Sequence, residues 1–279
     1  MNAYSPDTIR TVKSLVPMDD VLFQKICEDK AVCQEMITAI LGQKLTVEEV
    51  IPQDAMMNLQ GRSVRLDCLC KLPDGVFVNV EVQKSDDDDH EARVWYNASV
   101  ITANETPKSV KFRDVARVIV FFITRFDIFK GNLPIYHIDR VVRELNQLRN
   151  GKFSEIYVNA AAKNHDTDLN RSVSDLMDLF TDRETYNYEQ FPCFSKRKND
   201  FIHSEKGEME MCEKVENLLM QTIRQTRMND LFVYVQDGDM PLSKAAKRLN
   251  LSAKEFKAEM QRHGYTIPVR DRKPVRPAE

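Results

Sequence analysis

No stretch of this 279-residue chain approaches the roughly 18 consecutive apolar residues that a membrane-spanning helix needs. The longest apolar run, residues 118–123, has the length of a strand. The opening MNAYSPDTIRTVKSL lacks the uninterrupted apolar segment of a secretory signal, so the expected compartment is the cytoplasm, with no membrane partner. Six cysteines, at positions 27, 33, 68, 70, 193 and 212, include no C-x-x-C pair and read as small core residues. A phosphate-cradling G-x-x-x-x-G-K-S/T loop is also missing, which argues against chemistry driven by nucleoside triphosphates. Charge is close to balanced at −3 but unevenly spread. Residues 241–279 hold ten Lys/Arg against four Asp/Glu, a local +6 that leaves −9 for the first 240 residues.

What is present centres on residues 63–84, SVRLDCLCKLPDGVFVNVEVQK, which alternate as the two arms of a β-hairpin. Val64, Leu66, Cys68, Cys70 and Leu72 form the apolar face of the first arm, and Val76, Val78, Val80 and Val82 that of the second. A three-residue Pro73-Asp74-Gly75 loop, with glycine at positive φ, pairs Leu72 with Val76 and sets Asp67 opposite Glu81. A two-residue loop would slip the register by one and mix polar with apolar faces along the ladder. The chosen register brings two carboxylates to roughly 4.5 to 5.5 Å at their Cβ atoms, with Gln83 further along the face of Glu81. Such a pair suits a divalent cation, whose hard charge prefers carboxylate oxygens. The plainer alternative is two solvated acids that tolerate each other.

An acid, a hairpin and then Glu81-Val82-Gln83 resembles the PD-(D/E)XK nuclease superfamily, with glutamine where that pattern has lysine. The likeness is to the branch of PD-(D/E)XK nuclease family transposases, or recombination-promoting (Rpn-type) nucleases. It runs from residue 17 to about 231 through PMDDVLFQKICEDK, VRLDCL, VNVEVQK, EARVWYNASV, VIVFFIT and EMEMCEKVENLL. The resemblance implies a metal-dependent DNA endonuclease acting on double-stranded DNA, with Asp67, Glu81 and Gln83 catalytic and Mg²⁺ or Mn²⁺ as cofactor. It also implies that a first-helix acid completes the metal site, Asp20 before Glu28, although Asp19 or Asp20 would serve equally as a helix N-cap. Arg93 and Tyr96, one turn apart, match helix positions that approach the scissile phosphate. Tyr96 suits a core position as well. Lys84 points to the other face of its strand and does not replace the missing lysine.

Along the rest of the chain, residues 19–41 have helical spacing that closes at Gly42, and 46–51 read as a first strand. The acidic run 86–89 reads as a solvated lead into a helix over 90–102, with Asp89 as N-cap and His90 solvated. Residues 116–124, 134–141 and 153–160 read as strands, and 168–182 and 204–236 as helices, with FPCFSKRKND between those helices as a loop. The long helix packs on the nuclease body or pairs with a second copy, making a homodimer. The expected architecture is an α/β, restriction-endonuclease-like sandwich, with a central mixed β-sheet flanked by helices and a C-terminal helical appendage. Residues 1–236 form the nuclease-like domain, 237–265 a small helix-turn-helix-like unit, and 266–279 a basic disordered tail. Asn250 at a left-handed turn and Ser252 as a cap define the helix pair, and Lys254, Lys257 and Arg262 on its second helix are the candidate DNA contacts. From a different class comes the alternative of a catalytically inactive DNA-binding protein that keeps the nuclease fold.

Overall fold

The computed structural model describes residues 4–51, 64–163 and 165–266. Its contacts divide the chain into two units, residues 1–213 and 214–279.

In the first unit a mixed sheet has, among the described residues, six strands. Three helices precede its centre: α1 (Pro6–Ser14), α2 (Asp20–Cys27) and α3 (Lys30–Leu41). α1 starts on Ser5, whose hydroxyl accepts from the Thr8 N–H, with Pro6 in the first turn where its missing donor costs nothing. The 19–41 stretch is a helix pair because Asp29 restarts the helix, accepting from the Ala31 N–H, and Gly42 ends it at φ +65°.

The strands are β1 (Glu49–Ile51), β2 (Cys68–Lys71), β3 (Val76–Gln83), β4 (Arg117–Thr124) and β5 (Ile135–Ile138), then a ribbon of β6 (Arg140–Val142) and β7 (Gln147–Arg149), and finally β8 (Phe153–Asn159). Sheet order is β1-β2-β3-β4-β8-β5, parallel at β3–β4 and β4–β8 and antiparallel elsewhere. The hairpin has the expected register: Cys68 faces Val80 and Lys71 faces Phe77, so the same ladder carried outward pairs Leu72 with Val76. The turn closes through Gly75 N–H to Leu72 O at 2.9 Å and Leu72 N–H to Val76 O at 2.8 Å, with Gly75 at φ +77°. β3 is central, flanked by β2 and β4, and buries both of its faces. That burial corrects the picture of solvated acids, because Asn79 is fully buried and Glu81 only 6% exposed.

α4 (His90–Glu105) packs on β4, contributing Val94, Ala98 and Ile101 to a core with Val118, Val120 and Phe122. α5 (Asp168–Thr181) packs on α3. The segment expected to be a loop is instead α6 (Pro192–His203). Phe194, Ser195, Lys198, Phe201 and Ile202 recur with helical spacing and are buried, and the helix starts on Pro192. The cationic residues hid that stripe, because one of them, Lys198, lies inside and donates to the carbonyls of Leu179, Asp182 and Thr185.

The unit boundary falls inside α7 (Glu205–Gln236). In the second unit Leu231, Phe232 and Val235 of α7 pack with α8 (Leu242–Arg248) and α9 (Ala253–Arg262) through Ala245, Ala246, Phe256 and Met260. Asn250 takes the left-handed turn at φ 56°, and Ser252 with Glu255 forms a reciprocal capping box. Of the tail expected over 266–279, Thr266 is described, its N–H donating to Gln236 Oε1 at 2.9 Å, and the rest lies outside the described residues.

Candidate active site

β2 ends where the site begins. Asp67 sits one residue before the strand, and its Oδ2 accepts the Val82 N–H at 3.1 Å, a main-chain donor that a longer strand would have paired. Its Oδ1 accepts from Gln24 Nε2 of α2 at 3.3 Å. Glu81 lies across the pair and accepts from Asn79 Nδ2, two residues back on its own strand, at 2.9 Å. Withdrawal from water pushes the Asp67 carboxyl up to about 6, helped by the charge of Asp20 and opposed by the Val82 and Gln24 bonds. Burial, then the charge of Asp67, raises Glu81 well above the ordinary carboxylate range. The dominant cost is thus desolvation, with repulsion second.

Asp20 lies in the first turn of α2, and its charge contributes to the raised carboxyl of Asp67. Of the two proposed caps, Asp19 makes no side-chain bond to the helix start, while Asp20 Oδ1 accepts the N–H of its neighbour Val21 at 2.8 Å. Asp19 holds the cap position, but its carboxylate accepts from the Val16 N–H and pairs with Lys84. Lys84 is thereby committed, and Glu28 sits at the far end of α2, bonded to Lys25 and 3.6 Å from Arg197.

Gln83 is half-buried and fully engaged. Its Oε1 accepts from Arg93 at 2.8 Å, and its Nε2 donates to Ser85 O and to Asp87, each at 2.9 Å. Arg93, reaching over from α4, also faces Asp87 and Asp89 at 3.9 and 3.6 Å, and its charge acts on Glu81. The acidic run stays exposed and leads into α4 as expected, and its side chains also hold Gln83, His90 and Arg93. Asp89 stands at the cap position without a capping bond, and Asp86 holds His90 Nε2 at 2.8 Å. His90, expected in solvent, is buried against Phe122 and Phe126.

Glu81, Arg93 and Tyr96 open on one pocket of about 640 Å³, walled also by Arg65, Asp89, Trp95 and Asn97. Tyr96 both lines it and packs against the core. A second cavity, beside α3 and α5, is lined by Glu35, whose carboxylate is already taken by the N–H groups of Cys193 and Phe194. The spacing of residues 63–84 pointed to Asp67, Glu81 and Gln83, and missed Gln24 and Asn79. A signal for Asn79 existed, since Asn79, Glu81 and Gln83 form a polar file through a strand otherwise made of Val and Phe. Gln24 stood in an apolar helix with no pattern to single it out.

A family model described as PD-(D/E)XK nuclease family transposase matches residues 17–166, more than half of the chain. The chain belongs to this family. No curated protein and no solved structure gives a match. The mixed sheet with flanking helices is the architecture of a PD-(D/E)XK nuclease, and the matched span holds Asp20, Asp67, Glu81, Gln83, Arg93 and Tyr96. Lys254, Lys257 and Arg262 lie beyond it, exposed on α9, and Arg262 is bonded to Glu259 at 2.6 Å. Among the described residues of this PD-(D/E)XK protein, no helix is long and apolar enough to cross a membrane.

Proposed function

We propose that the chain is a divalent-metal-dependent endonuclease that hydrolyses phosphodiester bonds in double-stranded DNA. The observation that carries this is the facing pair Asp67 and Glu81, both holding their protons more tightly than ordinary carboxylates, beside a pocket that also presents a guanidinium. Asp67 and Glu81 would hold the cation, with Asp20 as a third oxygen ligand. The donor set fits Mg²⁺ or Mn²⁺: the oxygens are hard, and the bonded amides of Gln24 and Asn79 each keep a buried carbonyl oxygen with no donor. When bound, such an ion polarises the phosphodiester and lowers the pKa of an attacking water.

The protein's own groups divide the remaining work. A neutral glutamine at 83 cannot carry the charge of a lysine, and its amide is spent on Ser85, Asp87 and Arg93. Gln83 thus holds Arg93, whose planar fork can meet two phosphate oxygens at once and supply the positive charge lost at position 83. Tyr96 and Asn97 shape the same wall. On α9, Lys254 and Lys257 are available to DNA phosphates, while Arg262 is partly spent on Glu259.

Nicking of supercoiled plasmid tests this. Cleavage is expected with Mg²⁺ or Mn²⁺ and lost with EDTA, Asp67→Ala or Glu81→Ala, and undiminished cleavage by either variant overturns the assignment. The engaged, neutral Gln83 favours one competing reading, a catalytically silent DNA-binding protein. A wild type that shifts DNA on a gel without cutting it would decide for that reading.

A further inference from the structure

Four of the six cysteines converge in the core behind the hairpin. Cys27 ends α2, Cys33 lies in the first turns of α3, and Cys68 and Cys70 alternate along β2, so both project from one face of that strand. All four are buried. The sulfurs of Cys27, Cys33 and Cys68 lie mutually within 4.8 Å. Cys33 and Cys68 stand 3.7 Å apart, and Cys68 and Cys70 also 3.7 Å. Cys33 turns its thiol to the carbonyl of Cys27 at 3.2 Å.

These separations have a chemical meaning. Four thiolates around one Zn²⁺ at the usual bond length of about 2.3 Å place neighbouring sulfurs roughly 3.8 Å apart, the edge of the tetrahedron. The two measured edges match that length, Cys27, Cys33 and Cys68 close a triangle within 4.8 Å, and Cys70 stands outside that triangle, 3.7 Å from Cys68, from where it would swing in as the fourth ligand. Sulfurs already in contact leave room for one ion and not for a polynuclear cluster. We propose that Cys27, Cys33, Cys68 and Cys70 form a structural site for a single thiophilic divalent cation, Zn²⁺, distinct from the carboxylate site. Soft sulfur ligands separate this site by chemistry from the hard oxygens of Asp67 and Glu81. The ion would tie α2, α3 and β2 at one point and fix the strand immediately after Asp67.

Metal analysis of the full-length protein, purified under reducing conditions without chelator, tests the proposal without reference to nuclease activity. About one zinc per chain is expected, surviving gel filtration. Refolding in Co²⁺ is expected to give the intense visible bands of tetrahedral cobalt thiolate. Cys33→Ser and Cys68→Ser should each cut the zinc content at least several-fold, while Cys193→Ser and Cys212→Ser, outside the group, leave it unchanged. If the first two variants fail to fold, the wild-type zinc count and cobalt spectrum still decide. A folded wild type with under about a tenth of a zinc per chain and no cobalt thiolate band overturns the site, as does recovery of Cys33 and Cys68 as a disulfide. Loss of plasmid nicking with the zinc count intact would count against the nuclease reading alone.

Discussion

Replacing Asp67 with asparagine is expected to stabilise the metal-free protein at neutral pH and to leave its stability in acid unchanged. The Asp67 carboxyl is held at about 6 in the fold against an ordinary 3.8. A folded pKa above the unfolded one means that the native state binds the proton more tightly, so its cost is absent below about pH 4. That cost grows as pH rises through the two values and is complete above about 6. Two pKa units at 1.36 kcal/mol each give about 3 kcal/mol, which the partial exposure of Asp67 reduces to about 2. The neighbours can accept the change. The amide oxygen introduced by Asp67→Asn would keep the Val82 N–H, and a flip of the Gln24 amide would offer its orphaned Oε1 to the introduced NH₂ group. Removing the charge also relieves Glu81.

Thermal melts of wild type and Asp67→Asn from pH 4 to pH 8, with EDTA and with Mg²⁺, measure this directly. The metal-free variant should melt together with wild type near pH 4 and on the order of 4 to 8 °C above it at pH 7.5. Mg²⁺ at ten times its dissociation constant should raise wild type by about 1.4 kcal/mol, or roughly 3 to 6 °C, and the variant by a small fraction of that. If Asp67→Asn instead lowers metal-free stability by more than about 2 kcal/mol at pH 7.5, and Mg²⁺ shifts both proteins equally, then Asp67 is a structural acid and the metal assignment fails.

Two further outcomes bear on the division of labour in the site. Arg93→Ala should lower the nicking rate on the order of 10²-fold with little change in melting temperature, and Arg93→Lys should recover part of it; full activity of Arg93→Ala would remove the guanidinium from catalysis. Lys254→Glu with Lys257→Glu leaves the buried Phe256 in place, and should weaken DNA binding and flatten its dependence on log salt by roughly 2; an unchanged slope would exclude α9 from the DNA contact.

Much of the architecture was legible because it rests on short-range rules. Period-two alternation in residues 64–82, with a Pro-Asp-Gly turn, dictated the hairpin register to the residue, since any slip exposes the whole valine face. Ser252 as a cap and Asn250 at a left-handed turn marked the helix pair for the same local reason. α6 was not legible, because its pattern reads correctly only if Lys198 is placed inside. What makes that tolerable is a set of three carbonyls from residues 179, 182 and 185, a tertiary coincidence that no local window contains. His90 escaped for a similar reason: an acidic neighbourhood looks solvated until Phe122 and Phe126 cover the ring.

The site divides along the same line. Spacing identified Asp67 and Glu81 as facing acids, but spacing carries no information about dielectric, so the pair looked like a problem of repulsion. Burial of β3 on both faces makes it a problem of hydration, in which each acid loses more by leaving water than by meeting the other. That changes what the neighbours are for. Gln24 and Asn79 donate to the two acids, Val82 contributes a main-chain N–H, and none of the three brings a full positive charge. The charges of Arg65 and Arg93 offset part of the cost at Asp67 and Glu81, but burial outweighs them and both carboxyls stay raised. Arg93 reaches Glu81 only through its charge, since its guanidinium is bonded to Gln83 and faces Asp87 and Asp89. A lysine at 83 would have neutralised part of the pair from within the strand. With glutamine there, the proposed divalent cation would have to displace the protons at Asp67 and Glu81, and its uptake is expected to be steepest in the range where Asp67 titrates.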